Sequence, residues 1–197
     1  MDIYMVRHGQ THHNLKGEYY GKLDVSLNQE GIRQIQKLET SLRAITFDHV
    51  YSSNAARALE SLKLCGEELY NRVHVDPRLG EIDFGDFEGR TYEEICTLFP
   101  QYVEDWDKDW KGFCPPKGES FATFYARVSE FFRELLTKEA SNVLIMAHSG
   151  VIKAIYCYVL KNNPDLYWSF TCQNGKMNII KYEYGNLFIH GMNKGGI

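Results

Sequence analysis

The sequence predicts an α/β three-layer sandwich, a mainly parallel central sheet with helices on both faces. Three observations lead there. Strand-like and helix-like stretches alternate through most of the length. The run Val143-Leu144-Ile145-Met146-Ala147 is uninterruptedly apolar, as expected of a strand buried on both faces. The segment before it, Phe121, Phe124, Val128, Phe131 and Leu135, keeps helical spacing instead.

Taken in order, the chain opens with an apolar strand, Ile3 to Val6, that breaks into a polar loop at Arg7-His8-Gly9. Asn28 caps a helix whose apolar face is Ile32, Ile35, Leu38, Leu42 and Ile45. A second strand, Asp48 to Tyr51, ends in Ser52-Ser53-Asn54, which reads as a capping cluster for a helix from about Ala55 to Tyr70. A short third strand, Val73 to Val75, leads to a loop rich in acids, Gly and Phe, from Asp76 to Gly89.

Thr91-Tyr92-Glu93-Glu94 forms a capping box for a short helix to about Leu98. Residues 91–118 then make an aromatic-rich excursion over the sheet edge, with Tyr102, Trp106, Trp110 and Phe113, closed by Pro115-Pro116-Lys117-Gly118. Ser120 caps the long helix, Val143 to Ala147 follows as the central strand, and His148-Ser149-Gly150 leads into another helix from Val151. Two alternating runs around Gly185-Asn186, between Lys176 and Ile189, predict an edge hairpin.

A chain of 197 residues supports one domain spanning 1–197 and leaves little room for a second independent core. Apolar residues make up 44% and charged residues 24%, an ordinary globular composition. The balance of 22 basic against 26 acidic residues gives −4, so no general attraction to nucleic acid or an anionic membrane is expected. Without an apolar run of spanning length or a leader pattern after Met1, a cytoplasmic location is expected. The five cysteines are scattered, form no Cys-x-x-Cys pair, and read as reduced and mostly buried. None is followed six residues later by Arg, so the Cys-x5-Arg loop of cysteine phosphatases is absent.

Chemistry concentrates at strand ends. Arg7 offers a planar fork suited to phosphate, His8 can be a neutral nucleophile near pH 7, and Gly9 lets backbone come close to a ligand. Arg57 lies just past the second strand, where an open sheet gathers ligands. His148 is the second histidine that a buried strand hands to a Gly-containing loop, here at a helix N-terminus that points free N–H groups at an anion. In the acid loop an acid among apolar neighbours has its neutral form favoured, which suits a proton donor. Glu81 comes first after the strand end, and Asp83 is nearly its equal by chemistry alone.

Together, Arg7-His8-Gly9, Arg57, Glu81 and His148 resemble the histidine phosphatase superfamily, the phosphoglycerate-mutase-like fold, in the same order and over almost the whole chain. The opening Arg-His-Gly-x-Thr-x-x-Asn is present in full from Arg7 to Asn14. Within that superfamily the resemblance runs most nearly to the α-ribazole phosphatases of cobalamin synthesis. It rests on Leu79 to Gly89, on Trp106 and Trp110 leading to Pro116-Lys117-Gly118-Glu119-Ser120-Phe121, and on Leu166-Tyr167-Trp168-Ser169-Phe170. The commoner Glu after Arg-His-Gly is Gln10 here, the usual Trp before Glu-Gly is Phe87, and a frequent Thr after the second Arg is Ser61.

The resemblance implies hydrolysis of a small-molecule phosphate ester such as α-ribazole 5′-phosphate or adenosylcobalamin 5′-phosphate. His8 would take the phosphoryl group, Glu81 would protonate the leaving alcohol, and Arg7, Arg57 and His148 would hold the phosphate. Asn14 and the N–H of Ser149 would add hydrogen bonds, and no metal or other cofactor is required because Arg and His supply the charge. A mutase or a broad phosphatase would use the same residues; a metal-binding cluster of His8, His12 and His13, or a non-catalytic phosphate-binding module, is the alternative from another class. The edge hairpin would permit a homodimer.

Overall fold

A computed structural model describes residues 1–195. Its strands are β1 (Asp2–Arg7), β2 (His49–Ser52), β3 (His74–Val75), β4 (Asn142–Ala147), β5 (Met177–Glu183) and β6 (Asn186–Lys194). Its helices are α1 (His12–Lys16), α2 (Gln29–Arg43), α3 (Ala56–Cys65), α4 (Glu67–Asn71), α5 (Tyr92–Leu98), α6 (Pro100–Lys108), α7 (Phe121–Leu135) and α8 (Ser149–Val159).

The strands form one sheet in the order β3-β2-β4-β1-β5-β6. The first four of these are mutually parallel, whereas β5 runs antiparallel to β1 and β6 antiparallel to β5. The expected edge hairpin is present, and the apolar run at 143–147 is interior, between β2 and β1.

Alternation along each central strand divides the core. Ile3, Met5, Val143 and Ile145 face α7 and α8, meeting Phe124, Phe132, Ile152 and Ile155. Tyr4, Val6, Leu144 and Met146 face α2 and α3, meeting Ile35, Leu38, Leu42 and Leu62. Because β1 and β4 are buried on both faces, they are apolar at every central position. The three layers expected from the sequence are these.

Local chemistry sets the helix boundaries. Asn28 Oδ1 accepts the Gly31 N–H at 2.8 Å, and the capping box at Thr91 and Glu94 is complete. The helix expected from Ala55 to Tyr70 is instead two, broken at Gly66, whose φ of 151° leaves helical space. Ser52-Ser53-Asn54 does not cap it: the cap position is Ala55, with no side-chain bond. The excursion carries a second helix, α6, with Pro100 at its first turn, where proline's missing N–H costs nothing.

Parallel register decides where the polar loops meet. Arg7 pairs with Ala147 and Ser52 with Met146, so His8, Ser53 and His148 leave the sheet at one edge. The His8 N–H donates to the Ala147 carbonyl at 3.0 Å. His8 and His148, 140 positions apart in the chain, are thereby made neighbours.

Candidate active site

At this edge the His8 and His148 rings lie edge to face, with centroids 5.1 Å apart. His8 is 3% exposed and His148 and Arg57 are fully buried. The His8 Nδ1 is 2.7 Å from the Gly9 carbonyl oxygen. A carbonyl only accepts, so Nδ1 carries the proton and Nε2 of the neutral ring keeps its lone pair. Burial, then the Arg7 and Arg57 guanidiniums, hold His8 well below the usual imidazole range. The ring is therefore held neutral in one tautomer, the form a nucleophile would need.

His148 is held differently. Its Nε2 is 2.7 Å from Ser53 Oγ, which also accepts the Ala55 N–H at 3.4 Å, so the hydroxyl proton is free to be donated to Nε2. Nδ1 then bears the ring proton, and it is buried without a partner. Burial, followed by Arg57, His8 and Arg7, keeps this imidazole well below its ordinary range as well.

Arg57 donates from Nη1 to the Leu23 carbonyl at 3.0 Å and from Nη2 to the Gly21 carbonyl at 2.8 Å, with the Tyr20 ring 4.6 Å from its guanidinium carbon. Arg7 donates from Nη1 to the Cys172 carbonyl at 2.5 Å. Among the described residues neither guanidinium has a carboxylate in an ion pair, and the Nε of each is buried with no partner. Only one other buried side-chain polar atom is orphaned among these residues, Ser129 Oγ, on α7. Three of the four orphans thus belong to two arginines and a histidine at one strand edge. Buried unpaired cations cost several kcal/mol unless something pairs them, and three free donors from neighbouring groups fit an anion.

Glu81 reaches the same place from the acid loop. Its Oε2 accepts the Gly150 N–H at 3.0 Å at the start of α8, and its Oε1 accepts the Ile82 N–H at 3.1 Å. A Cβ on Gly150 would lie 2.1 Å from Glu81 Oε1 and 2.9 Å from the Tyr167 hydroxyl, so the carboxyl can stand here only over glycine. Asp83 is occupied elsewhere, its Oδ1 taking the Gly85 N–H at 2.9 Å. Of the two acids left open by the sequence, Glu81 is the one bonded at the start of α8, two residues after His148, and it acts electrostatically on Arg7 and Arg57.

The remaining expected residues are less direct. Asn14 Oδ1 accepts from Thr11 and from Asn174 Nδ2, so that oxygen braces the loop. Ser149 is the first residue of α8, with His148 at the cap. Gly9 also has a packing reason to lack a side chain, since an added Cβ would be 2.4 Å from the Gly31 carbonyl oxygen. His12 is exposed and His13 is bonded to Glu18 at 2.5 Å, so neither joins His8.

The sequence matches the histidine phosphatase superfamily (branch 1) over residues 3–195. The chain belongs to that family. An adenosylcobalamin/α-ribazole phosphatase from Salmonella typhimurium is 32% identical over 176 residues, 89% of this chain and 87% of that protein. The crystal structure of the α-ribazole phosphatase from Shigella flexneri superposes with a TM-score of 0.92 at 30% identity, covering 100% of this chain and 98% of that one. A phosphoserine phosphatase from Hydrogenobacter thermophilus is 29% identical over 92% of this chain and 86% of its own length.

Within the family frame, the three departures in sequence are conservative in place. Ser61 Oγ accepts the Gly9 N–H at 3.1 Å and donates to the Arg57 carbonyl, tying the loop after β1 to α3. Phe87 is fully buried, and Gln10 Oε1 accepts from Asn28. The reading of the sequence missed Ser53, because a serine after a strand looks like a cap. It missed Glu88 too, whose carboxylate accepts the N–H groups of Gly21, Lys22 and Leu23 at 3.0, 2.7 and 2.6 Å. No local pattern announces a contact across more than sixty residues.

Proposed function

We propose that the protein hydrolyses a phosphate monoester through a phosphohistidine at His8, with α-ribazole 5′-phosphate as its substrate. The observation that carries the phosphatase reading is the set of unpartnered donors on Arg7, Arg57 and His148 beside the His8 lone pair. In the first step His8 Nε2 bonds to phosphorus as the ester P–O bond breaks, and Glu81 gives its proton to the departing alcohol oxygen. In the second, water bonds to phosphorus, the N–P bond breaks, and Glu81 takes the water's proton, releasing inorganic phosphate. Arg7, Arg57 and His148 stabilise the non-bridging oxygens as charge redistributes, with Asn14 and the Ser149 N–H as neutral donors.

The leaving group is supported by kinship: relatives named for α-ribazole and adenosylcobalamin phosphates match nearly the full chain. The phosphoserine phosphatase relative supports a second reading, activity on small aliphatic esters. A panel of α-ribazole 5′-phosphate, phosphoserine and 3-phosphoglycerate separates the two, since the first reading expects kcat/KM highest by far on the first ester. Quenching a labelled turnover in base should trap a base-stable, acid-labile adduct on His8. A His8→Ala protein with undiminished hydrolysis would overturn the mechanism.

A further inference from the structure

The loop that carries Glu81 has no ladder of its own. Between the single turns Pro77–Leu79 and Gly85–Phe87 its backbone belongs to no helix or strand. Its polar groups must find partners elsewhere, and several find them on one side chain. Arg127, in the middle of α7, donates from Nη1 to the Arg78 and Gly80 carbonyls, both at 2.8 Å, and from Nη2 to the Glu81 carbonyl at 3.0 Å. Its other bonds go to Glu119, from Nε to Oε2 at 3.1 Å and from Nη2 to Oε1. All five donors of the guanidinium are thereby engaged.

Glu119 continues the clamp on the other side of Glu81. Its Oε1 accepts the Asp83 N–H at 3.1 Å, and its own N–H donates to the Asp83 carbonyl at 2.9 Å. The clamp is also anchored in the core, because the guanidinium carbon lies 4.9 Å from the centre of the Phe124 ring, which is fully buried. By contrast, the Glu81 carboxyl is held by two backbone N–H groups, those of Gly150 and Ile82, and the second belongs to the same loop. If residues 80–83 shift, the carboxyl shifts with them. A misplacement of about 1 Å can cost about a hundredfold in rate.

Gly80, Glu81, Asp83, Glu119 and Arg127 line one cavity, about 1140 Å³ counting its open mouth, so the clamp borders the open space beside the carboxyl. A half-buried ion pair in such a place adds little net stability compared with apolar packing, whereas its fixed geometry holds one loop conformation. We infer that Arg127 and Glu119 are positioning residues for the proton donor, holding the backbone of residues 80–83 so that the Glu81 carboxyl stays at the start of α8. The inference rests on the phosphatase reading and names what places its acid.

Arg127→Lys keeps the charge and loses the fork, and Glu119→Gln keeps an acceptor for Asp83 while unpairing the guanidinium. In each, kcat on ribose 5-phosphate, whose alcohol needs a proton to depart, should fall about tenfold, and on p-nitrophenyl phosphate by less than about twofold. Vanadate affinity should stay near the parent's, because other groups hold the anion. On ribose 5-phosphate, Arg127→Lys placed in a Glu81→Gln background should add no loss to that of Glu81→Gln alone, since both act through one proton. Exchange of the Asp83 amide should quicken in Arg127→Lys while the amides of β1 and β4 keep their protection. No loss, equal losses on both esters, a loss that multiplies with that of Glu81→Gln, or an Asp83 amide exchanging as in the parent would each overturn the assignment. Undiminished hydrolysis by His8→Ala would instead remove the phosphohistidine chemistry, and the exchange measurement would still decide whether Arg127 and Glu119 hold the loop.

Discussion

Ser53 Oγ stands 2.7 Å from His148 Nε2, joining the end of β2 to the end of β4 beside the proposed phosphate site. The bond sets which nitrogen of His148 faces the anion with its proton. Ser53→Ala should therefore weaken binding of inorganic phosphate or vanadate and lower kcat/KM by about tenfold, the worth of one hydrogen bond to a charged partner. Isothermal titration with vanadate checks this, and parent-like affinity would show that the ring orients itself unaided.

The two guanidiniums hold backbone carbonyls, yet among the described residues neither has a carboxylate partner and the Nε of each is buried and free, which suits an anion. Arg57→Met should raise the melting temperature in phosphate-free buffer, because a buried charge without a counter-ion is replaced by apolar volume. The same change should lower kcat by about a hundredfold or more. Adding phosphate should stabilise the parent and not the variant, as differential scanning calorimetry would reveal. A variant less stable than the parent without phosphate would argue that Arg57 serves the fold.

Acid sensitivity follows from the two histidines. Both are held well below the ordinary imidazole value by burial, with the arginines adding to it, so the folded protein keeps them neutral. Unfolded imidazoles titrate near 6.5, so below that pH the unfolded state binds more protons than the folded one. Stability from this source is complete above about 6.5 and falls as pH drops toward the folded values, by about 1.4 kcal/mol per pH unit for each histidine. Urea melts between pH 7.5 and 5 in phosphate-free buffer should show that slope, and a flat profile would exclude it.

Glu81 and Asp83 separate by geometry, which gives a paired test. Glu81→Gln should bind vanadate nearly as well as the parent yet turn over about a hundredfold more slowly, since the amide keeps an acceptor for Gly150 but has no proton to give. Asp83→Asn should change kcat little, because its carboxylate caps Gly85. The effect should shrink for esters of acidic alcohols, which leave without protonation. If Asp83→Asn proved the slower enzyme, the roles would be reversed.

Glu88 receives the N–H groups of Gly21, Lys22 and Leu23, and the carbonyls of Gly21 and Leu23 receive Arg57. Glu88→Gln should accordingly raise the dissociation constant for vanadate, and the loss should nearly vanish in an Arg57→Met background. A double-mutant cycle measures this, because independent losses would multiply instead of overlapping.

The amino-acid sequence by itself determined the layers, since uninterrupted apolar strands and three-to-four helical spacing leave few ways to bury both faces. It also offered Arg7, His8 and His148 just after buried strands, and, through the family resemblance, Arg57 and Glu81, with Asp83 nearly the equal of Glu81 by chemistry alone. What it left open required distance across the chain. Register between β1 and β4 brought His8 beside His148, a backbone N–H at Gly150 separated Glu81 from Asp83, and Ser53 and Glu88 became partners of residues far away in sequence. Local patterns encode which face of an element is buried. Only the packed tertiary structure decides which polar groups face one another, because those contacts depend on strand order and on the closeness that a few glycines allow.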